Sequence, residues 1–553
     1  MASGEGAPPR LRPIDPFWGG GEFMTRPKRK RPTAGADVRP GEDEAASSTL
    51  RARSPIRSIL IVGGGSAGWM AAAAFINSFR EGVSIALVES EEIGTVGVGE
   101  ATIPAIRSFN RKLRLNEADF VRATGATFKL GIEFVDWGRK KHRYFHPFGR
   151  FGTEFDIVSM EQYWLKLRSE GSAPNLEDLS LAAMAASRGR FAPPAKQGLG
   201  ATFDYAYHFD AGLYAAYLRQ YSESRGVVRH EGRIVDVEQD PTSGLVRSIK
   251  LADGREVEAD LFIDCSGFRA LLIEGAMKSG FEDWSHWLPC DRALAVPTAR
   301  VAGGMTPFTR STAHEAGWQW RIPLQHRTGN GHVFVSALTS EDEAAKRLLD
   351  HVDGEPLTEP RLLKFKAGRR KPWVGNVVAL GLAAGFLEPL ESTSLYLVSS
   401  GILRLFSFFP TRDFDSQTID RFNKESRIEW ENARDFLVLH YHANEREDSE
   451  LWRSCVSFDP PETLKERMDE FRSAGRLHYF PPEVFARQSW LAVQVGQFVE
   501  PLAYHPLVDA RPHVNASEYL NRQSSRIRQL SESMPLHEHF IERHCRSDFA
   551  ATA

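Results

Sequence analysis

The stretch Ser58-Ile59-Leu60-Ile61-Val62-Gly63-Gly64-Gly65-Ser66-Ala67-Gly68-Trp69-Met70-Ala71 reads as a strand, a tight glycine turn and the start of a helix in one run. Apolar residues feed Gly63, Gly65 and Gly68, which stand at the GxGxxG spacing, and an alanine-rich helix continues through Ala71 to Phe75. In such a run the first glycine permits the turn, the second lets the backbone approach a pyrophosphate, and the third packs helix on strand. The helix N-terminus adds free N–H groups and a positive dipole end for the same phosphates. A second strand, Ile85 to Val88, ends in Glu89, 26 residues beyond Gly63, where an acid takes ribose hydroxyls. An ordinary glycine-rich turn has no need of that acid. The stretch predicts an α/β, Rossmann-type domain that holds FAD or NAD.

Around that core the chain has 553 residues, enough for about three or four domain equivalents or for one large α/β enzyme. With 69 Lys and Arg against 72 Asp and Glu, the net charge of −3 gives no support for nucleic-acid or acidic-membrane binding. Cys265, Cys290, Cys455 and Cys545 lie far apart, without CxxC or Cys/His ligand spacing, so neither a metal site nor a disulfide scaffold is expected. A reducing cytoplasm fits. Residues 1–55 are rich in Pro, Gly, Arg and Glu and lack apolar periodicity, which predicts a disordered tail. Within it Lys28-Arg29-Lys30-Arg31 reads as a solvated charge run, and Met24 as an alternative initiator. No apolar run reaches the 18 residues of a membrane span, and no signal-peptide core precedes the first strand.

Further along, Gly97-Val98-Gly99-Glu100-Ala101-Thr102-Ile103-Pro104 reads as an irregular loop that can strap over a flavin. Phe128 to Trp137 alternates like one half-buried strand, which puts Lys129 with Gly131 and Glu133 on the face opposite Phe128, Leu130 and Ile132. Taken alone, that is a surface lysine beside a glutamate. Residues 140–210 are rich in aromatics, and Asp210 to Ser224 reads as a helix. Trp318 and Trp320, at i and i+2, share one face of a strand. A turn at Thr328-Gly329-Asn330-Gly331 and a strand from Val333 to Ala337 suggest a hairpin. A helix opens near Phe386 and runs to about Phe409, with Ser392 or Thr393 as its cap and Glu391 as a capping carboxylate. The rest is mainly helical, which divides the chain into an α/β dinucleotide-binding domain over residues 56–425 and a helical subdomain over residues 426–553.

As a set, GGGSAGWMA at Gly63, GVGEATIP at Gly97, FKLGIEFVDW at Phe128, WQWRIP at Trp318 and FLEPLEST at Phe386 resemble the blocks of the flavin-dependent tryptophan halogenase family, in family order and at similar spacings. The likeness covers residues 57–450. It implies a flavin-monooxygenase-like fold and a cofactor, FAD, supplied reduced (FADH2) by a separate NAD(P)H-dependent flavin reductase. In the family, oxygen and a halide ion then give hypohalous acid, which travels through the protein to a small aromatic substrate. Carried over residue by residue, the resemblance makes Lys129 the group that holds the halogenating species and Glu391 the acid beside it. It assigns Gly63, Gly65, Ser66, Ala67, Gly68, Glu89, Ala101 and Gly381 to the flavin, and Thr393 and Ser394 to the halide. His146, Phe148 and Trp490 then line the arene pocket, while Trp318 and Trp320 keep the arene away from the flavin. A homodimer is left open as an assembly.

Two departures stand out. Ser394 occupies a place where the family usually has glycine, and the position of a glutamate that clamps free tryptophan falls on Phe485. A site without that clamp should reject a zwitterion, because burying unpaired charge costs several kcal/mol. The substrate expected is therefore indole or another electron-rich arene, with bromide or chloride as halide. The alternatives are a flavin-dependent aromatic monooxygenase that hydroxylates and a flavoprotein that binds FAD without turnover.

Overall fold

Ile59, Leu60, Ile61 and Val62 are all buried, as a strand covered on both faces requires. In the computed structural model, which describes residues 54–79, 81–92, 99–479 and 483–551, they belong to Ser58–Val62, an interior strand of a six-stranded sheet. The order across that sheet is Trp373–Val374, Val377–Ala379, Leu261–Asp264, Ser58–Val62, Ser84–Glu89 and Val228–Glu231. Its neighbours pair in parallel, apart from the first two strands. The helix Ser66–Ser78 crosses over between the first two strands of the chain, and Ala211–Glu223 packs against that helix. This is the doubly wound arrangement that the glycine stretch predicts, with its ligand end at the strand C-termini. The turn into Ala211–Glu223 is fixed by Asp210, whose carboxylate accepts from the N–H groups of Gly212 and Leu213.

A seven-stranded sheet stands beside the first, in the order Arg361–Lys364, Arg292–Thr298, Thr328–Phe334, Gly317–Pro323, Thr309–His314, Gly131–Val135 and Arg143–Pro147. Three short strands, Gly99–Ala101, Ala206–Asp210 and Thr127–Lys129, form a small third sheet. Three local expectations change here. The strap is not wholly irregular: Gly99–Ala101 pairs with Ala206–Asp210, while residues 93–98 lie outside the described residues. The single strand expected over Phe128 to Trp137 is two strands in two sheets. It divides at Leu130, whose N–H donates to the Pro307 carbonyl and whose carbonyl accepts from the Phe148 N–H. The hairpin exists, but its turn covers residues 324–327, and Thr328 to Gly331 is strand. Gly331 serves close approach and not turning: a Cβ there would stand 2.0 Å from the Trp320 indole.

The C-terminal part is helical, and the expected division at residues 425 and 426 falls within the 27-residue helix Ser416–His442. The expected tail, with Met24 and the basic run, lies outside the described residues apart from its last two positions. Among the described residues no helix is long and apolar enough to cross a membrane. All four cysteines are free and buried.

Candidate active site

At the flavin end the glycines differ in what forces them. Gly63 has φ of 112°, and a Cβ there would stand 2.2 Å from the Cys265 carbonyl oxygen. A Cβ on Gly68 would lie 1.8 Å from the Gly63 carbonyl oxygen, so this glycine lets helix meet strand. At Gly65 an added Cβ would meet nothing within 4 Å. The helix Ser66–Ser78 begins at Gly65 with no side-chain cap, so its first N–H groups are open to an anion. That cradle fits a dinucleotide pyrophosphate. Gly381, with φ of 63°, closes on the same turn, since a Cβ there would stand 2.9 Å from the Ala67 methyl. The Ser66 hydroxyl donates to the Ala211 carbonyl. Glu89 ends its strand as expected, with its carboxylate against Gly64, and Arg229 holds it at 2.5 Å. Ala101 is buried in the strap strand, opposite His208.

Lys129 is where the surface reading fails. Its side chain is 0 % exposed, because Lys129 ends the strand of one sheet just where the next sheet begins. Its Nζ donates to the Thr102 carbonyl at 3.0 Å and to the Ser392 hydroxyl at 2.8 Å, and lies 5.0 Å from the Phe148 ring centre. Burial pushes its pKa down to about 7, with the Glu391 charge pulling partly the other way. Glu133, its supposed neighbour on the surface, instead pairs with Arg310.

Glu391 is not a helix cap. His146 Nδ1 stands 2.9 and 3.0 Å from its two oxygens, and His440 Nε2 2.9 Å from Oε1. The His146 contact is a directed hydrogen bond. The one from His440 is close but poorly aligned, so we regard it as an electrostatic contact only. His440 Nδ1 lies 2.8 Å from the Phe436 carbonyl, which fixes its ring. Burial alone would raise the Glu391 pKa, yet the two histidines hold it at about 2. Glu391 is therefore a fully buried carboxylate held between two imidazoles.

The next helix is Ser394–Ser407, and neither Ser392 nor Thr393 caps it through a side chain. Ser392 is left-handed, with φ of 59°, and this conformation accompanies the presentation of its hydroxyl to Lys129. The Thr393 hydroxyl is buried with no partner, at the start of a 14-residue helix, which suits a halide ion. Ser394 is not left-handed, so a serine fits where glycine was expected.

Trp318 and Trp320 are buried with ring centres 6.1 Å apart. His146 and Phe148 stand 6.3 Å apart, and Phe485 lies 6.3 Å from His146. Phe485 stacks on Phe436 at 3.9 Å, and Trp490 meets Phe436 edge-on at 5.0 Å. The position of the missing clamp is thus an aromatic wall, and Arg467, which stands over the Trp490 ring, pairs with Glu483, while Arg487 pairs with Glu161. Three residues were not singled out from sequence: Thr102, Glu388 and His440. Thr102 and Glu388 fell within quoted blocks and Ser392 was named only as a helix cap, whereas nothing in the sequence marked His440.

The profile of the family described as tryptophan halogenase matches residues 58–513. Tryptophan 7-halogenase RebH of Lentzea aerocolonigenes is 33 % identical over 528 residues, covering 89 % of this chain and 99 % of that protein. Among solved structures, Xcc4156, a flavin-dependent halogenase from Xanthomonas campestris, is similar with a TM-score of 0.86 and 45 % identity, covering 89 % of this chain and 99 % of its own. BrvH, a flavin-dependent halogenase from Brevundimonas sp. BAL3, gives 0.85 and 46 %, with 88 % and 99 % covered.

Proposed function

The chain belongs to the tryptophan halogenase family, and from that premise we propose that Lys129 hands an oxidised halogen to a neutral aromatic substrate with Glu391 as its acid-base partner. As a member it is an FADH2-dependent halogenase of an aromatic compound, working with halide and a separate flavin reductase, and hydroxylation is not the favoured reading. Bound FADH2 supplies the oxygen activation that oxidises the halide. The observation that carries the proposal is the buried Lys129 amine, held by two oxygens with its pKa lowered to about 7.

Each residue then has a bounded task. The Gly65 cradle and the N–H groups after it bind the pyrophosphate. The Thr393 hydroxyl and the helix start hold the halide. Trp318 and Trp320 exclude the arene from the flavin side. Lys129 orients the halogenating species, and Glu391, kept ionised by His146 and His440, accepts the proton that leaves the arene. His146, Phe148 and Trp490, with Phe436 and Phe485, stack the ring. Phe485 and the self-paired charges nearby favour indole over free tryptophan, since a zwitterion would lose hydration without gaining partners. The four free cysteines fit a reducing cytoplasm.

The test is incubation with reductase, NADH, FAD, bromide and indole, read by mass. A gain of one bromine is expected for the wild type and none for Lys129→Ala with FAD binding intact. Product from Lys129→Ala would overturn the role of Lys129, a gain of oxygen would restore hydroxylation, and faster chlorination of tryptophan than of indole would remove the substrate reading.

A further inference from the structure

Glu388 lies three residues before Glu391 and does not share its histidines. Its Oε2 accepts from the Trp318 indole N–H at 2.8 Å and from the Tyr441 hydroxyl at 2.6 Å. Tyr441 spends its one proton there, so the Cys290 thiol, 3.5 Å away, donates to the tyrosine oxygen. All four side chains are buried, Glu388 at 0 % exposure. Cys455 is the other titratable group close by, and no arginine, lysine or histidine pairs with the carboxyl among the described residues. Its second oxygen, Oε1, has no partner.

A bare carboxylate there would cost several kcal/mol, and its hydrogen bonds come from neutral groups only. Oε2 already accepts two protons, so the acid proton belongs on Oε1. Burial raises the pKa to about 7, in keeping with this. The ring neighbours of Trp318 are Trp137, at 6.2 Å and tilted by 52°, and Trp320, at 6.1 Å and tilted by 58°. Neither ring offers the indole N–H an acceptor of fixed direction, whereas the Glu388 carboxyl does and so favours one orientation about the broad terminal torsion of the indole.

We propose that Glu388 is a positioning residue that, as a neutral acid, fixes the indole of Trp318 in one orientation and so keeps the flavin and substrate compartments apart. This rests on the reading of Trp318 as the partition. Withdrawing the anchor leaves the indole free to turn, and oxidant is then lost before it reaches the arene.

The experiment measures halogenated product per FADH2 oxidised, with bromide and indole, alongside FAD affinity. Glu388→Gln, which keeps the shape and neutrality, should stay within about twofold of wild type. Glu388→Leu and Trp318→Phe should each fall about tenfold, with the double variant no lower than either, because both remove one bond. Should Glu388→Leu fail to bind FAD, Glu388→Asp withdraws the carboxyl by one methylene and should show the same loss. Leu or Asp variants as well coupled as wild type, while Trp318→Ala is not, would overturn the proposal, and so would losses that multiply in the double variant. Full coupling in Trp318→Ala would instead overturn the partition on which it rests.

Discussion

The surroundings of Glu388 and of Glu391 make an instructive pair. Both carboxyls are fully buried and sit on the same short segment, Pro389–Glu391 and the residue before it. Around Glu388 the donors are an indole and a phenol, and burial raises it to about 7. Around Glu391 stand two imidazoles, with Lys129 beyond, and it is held at about 2. Equal burial gives opposite shifts because desolvation is offset only where a partner can carry positive charge. The segment thus places a carboxyl of raised pKa against the Trp318 indole and an anion near the lysine.

The sharpest way to break this division is Lys129→Ala. We expect halogenation to fall about a thousandfold with FAD affinity and melting temperature kept, as measured by product formation and thermal unfolding. Next comes stability against pH. Glu388 is raised in the folded state, so its contribution is fully present below the unfolded value of 4.5 and is lost as pH rises through about 7. The loss is about 3 kcal/mol, on the order of a few hundredfold in the folding constant. Glu388→Gln should remove this slope between about pH 4.5 and 7 in denaturant titrations, and an unchanged slope would show that Glu388 is not the source. Glu391 runs the other way, contributing above 4.5 and losing that contribution as pH falls through about 2.

Glu391→Gln should lower turnover about a hundredfold. It should also move the inflection that Lys129 places near pH 7 in kcat/KM to lower pH, because the Glu391 charge favours the ammonium. An inflection that stays or rises would separate the two groups. The smallest effect is expected at Ser394→Gly, where the halide KM should change by less than about threefold, since Ser394 takes a conformation open to any residue.

The flavin half was legible because its logic is local: Gly63, Gly65, Gly68 and Glu89 lie within 27 residues, and each answers a neighbour in sequence or a ligand. Lys129 was not legible by alternation, which reports two faces but not how many layers cover them. Leu130 changes sheets, and both sides of the lysine are covered. Only the resemblance of the blocks pointed to it. Glu391 could not be separated from a helix cap, because His146 and His440 come from 245 residues before it and 49 after it. The turn at Thr328 to Gly331 was misplaced for another reason: glycine that makes room for the Trp320 indole looks the same in sequence as glycine that reverses a chain.

The grip on Lys129 also has a stereochemical consequence. A neutral amine nitrogen has four tetrahedral directions, of which one is its carbon, and two N–H bonds point to Thr102 and Ser392. The remaining valence is a third hydrogen at pH below its pKa and the lone pair above it, so gain or loss of one proton exchanges donor and nucleophile along a single fixed axis while the other two bonds stay in place.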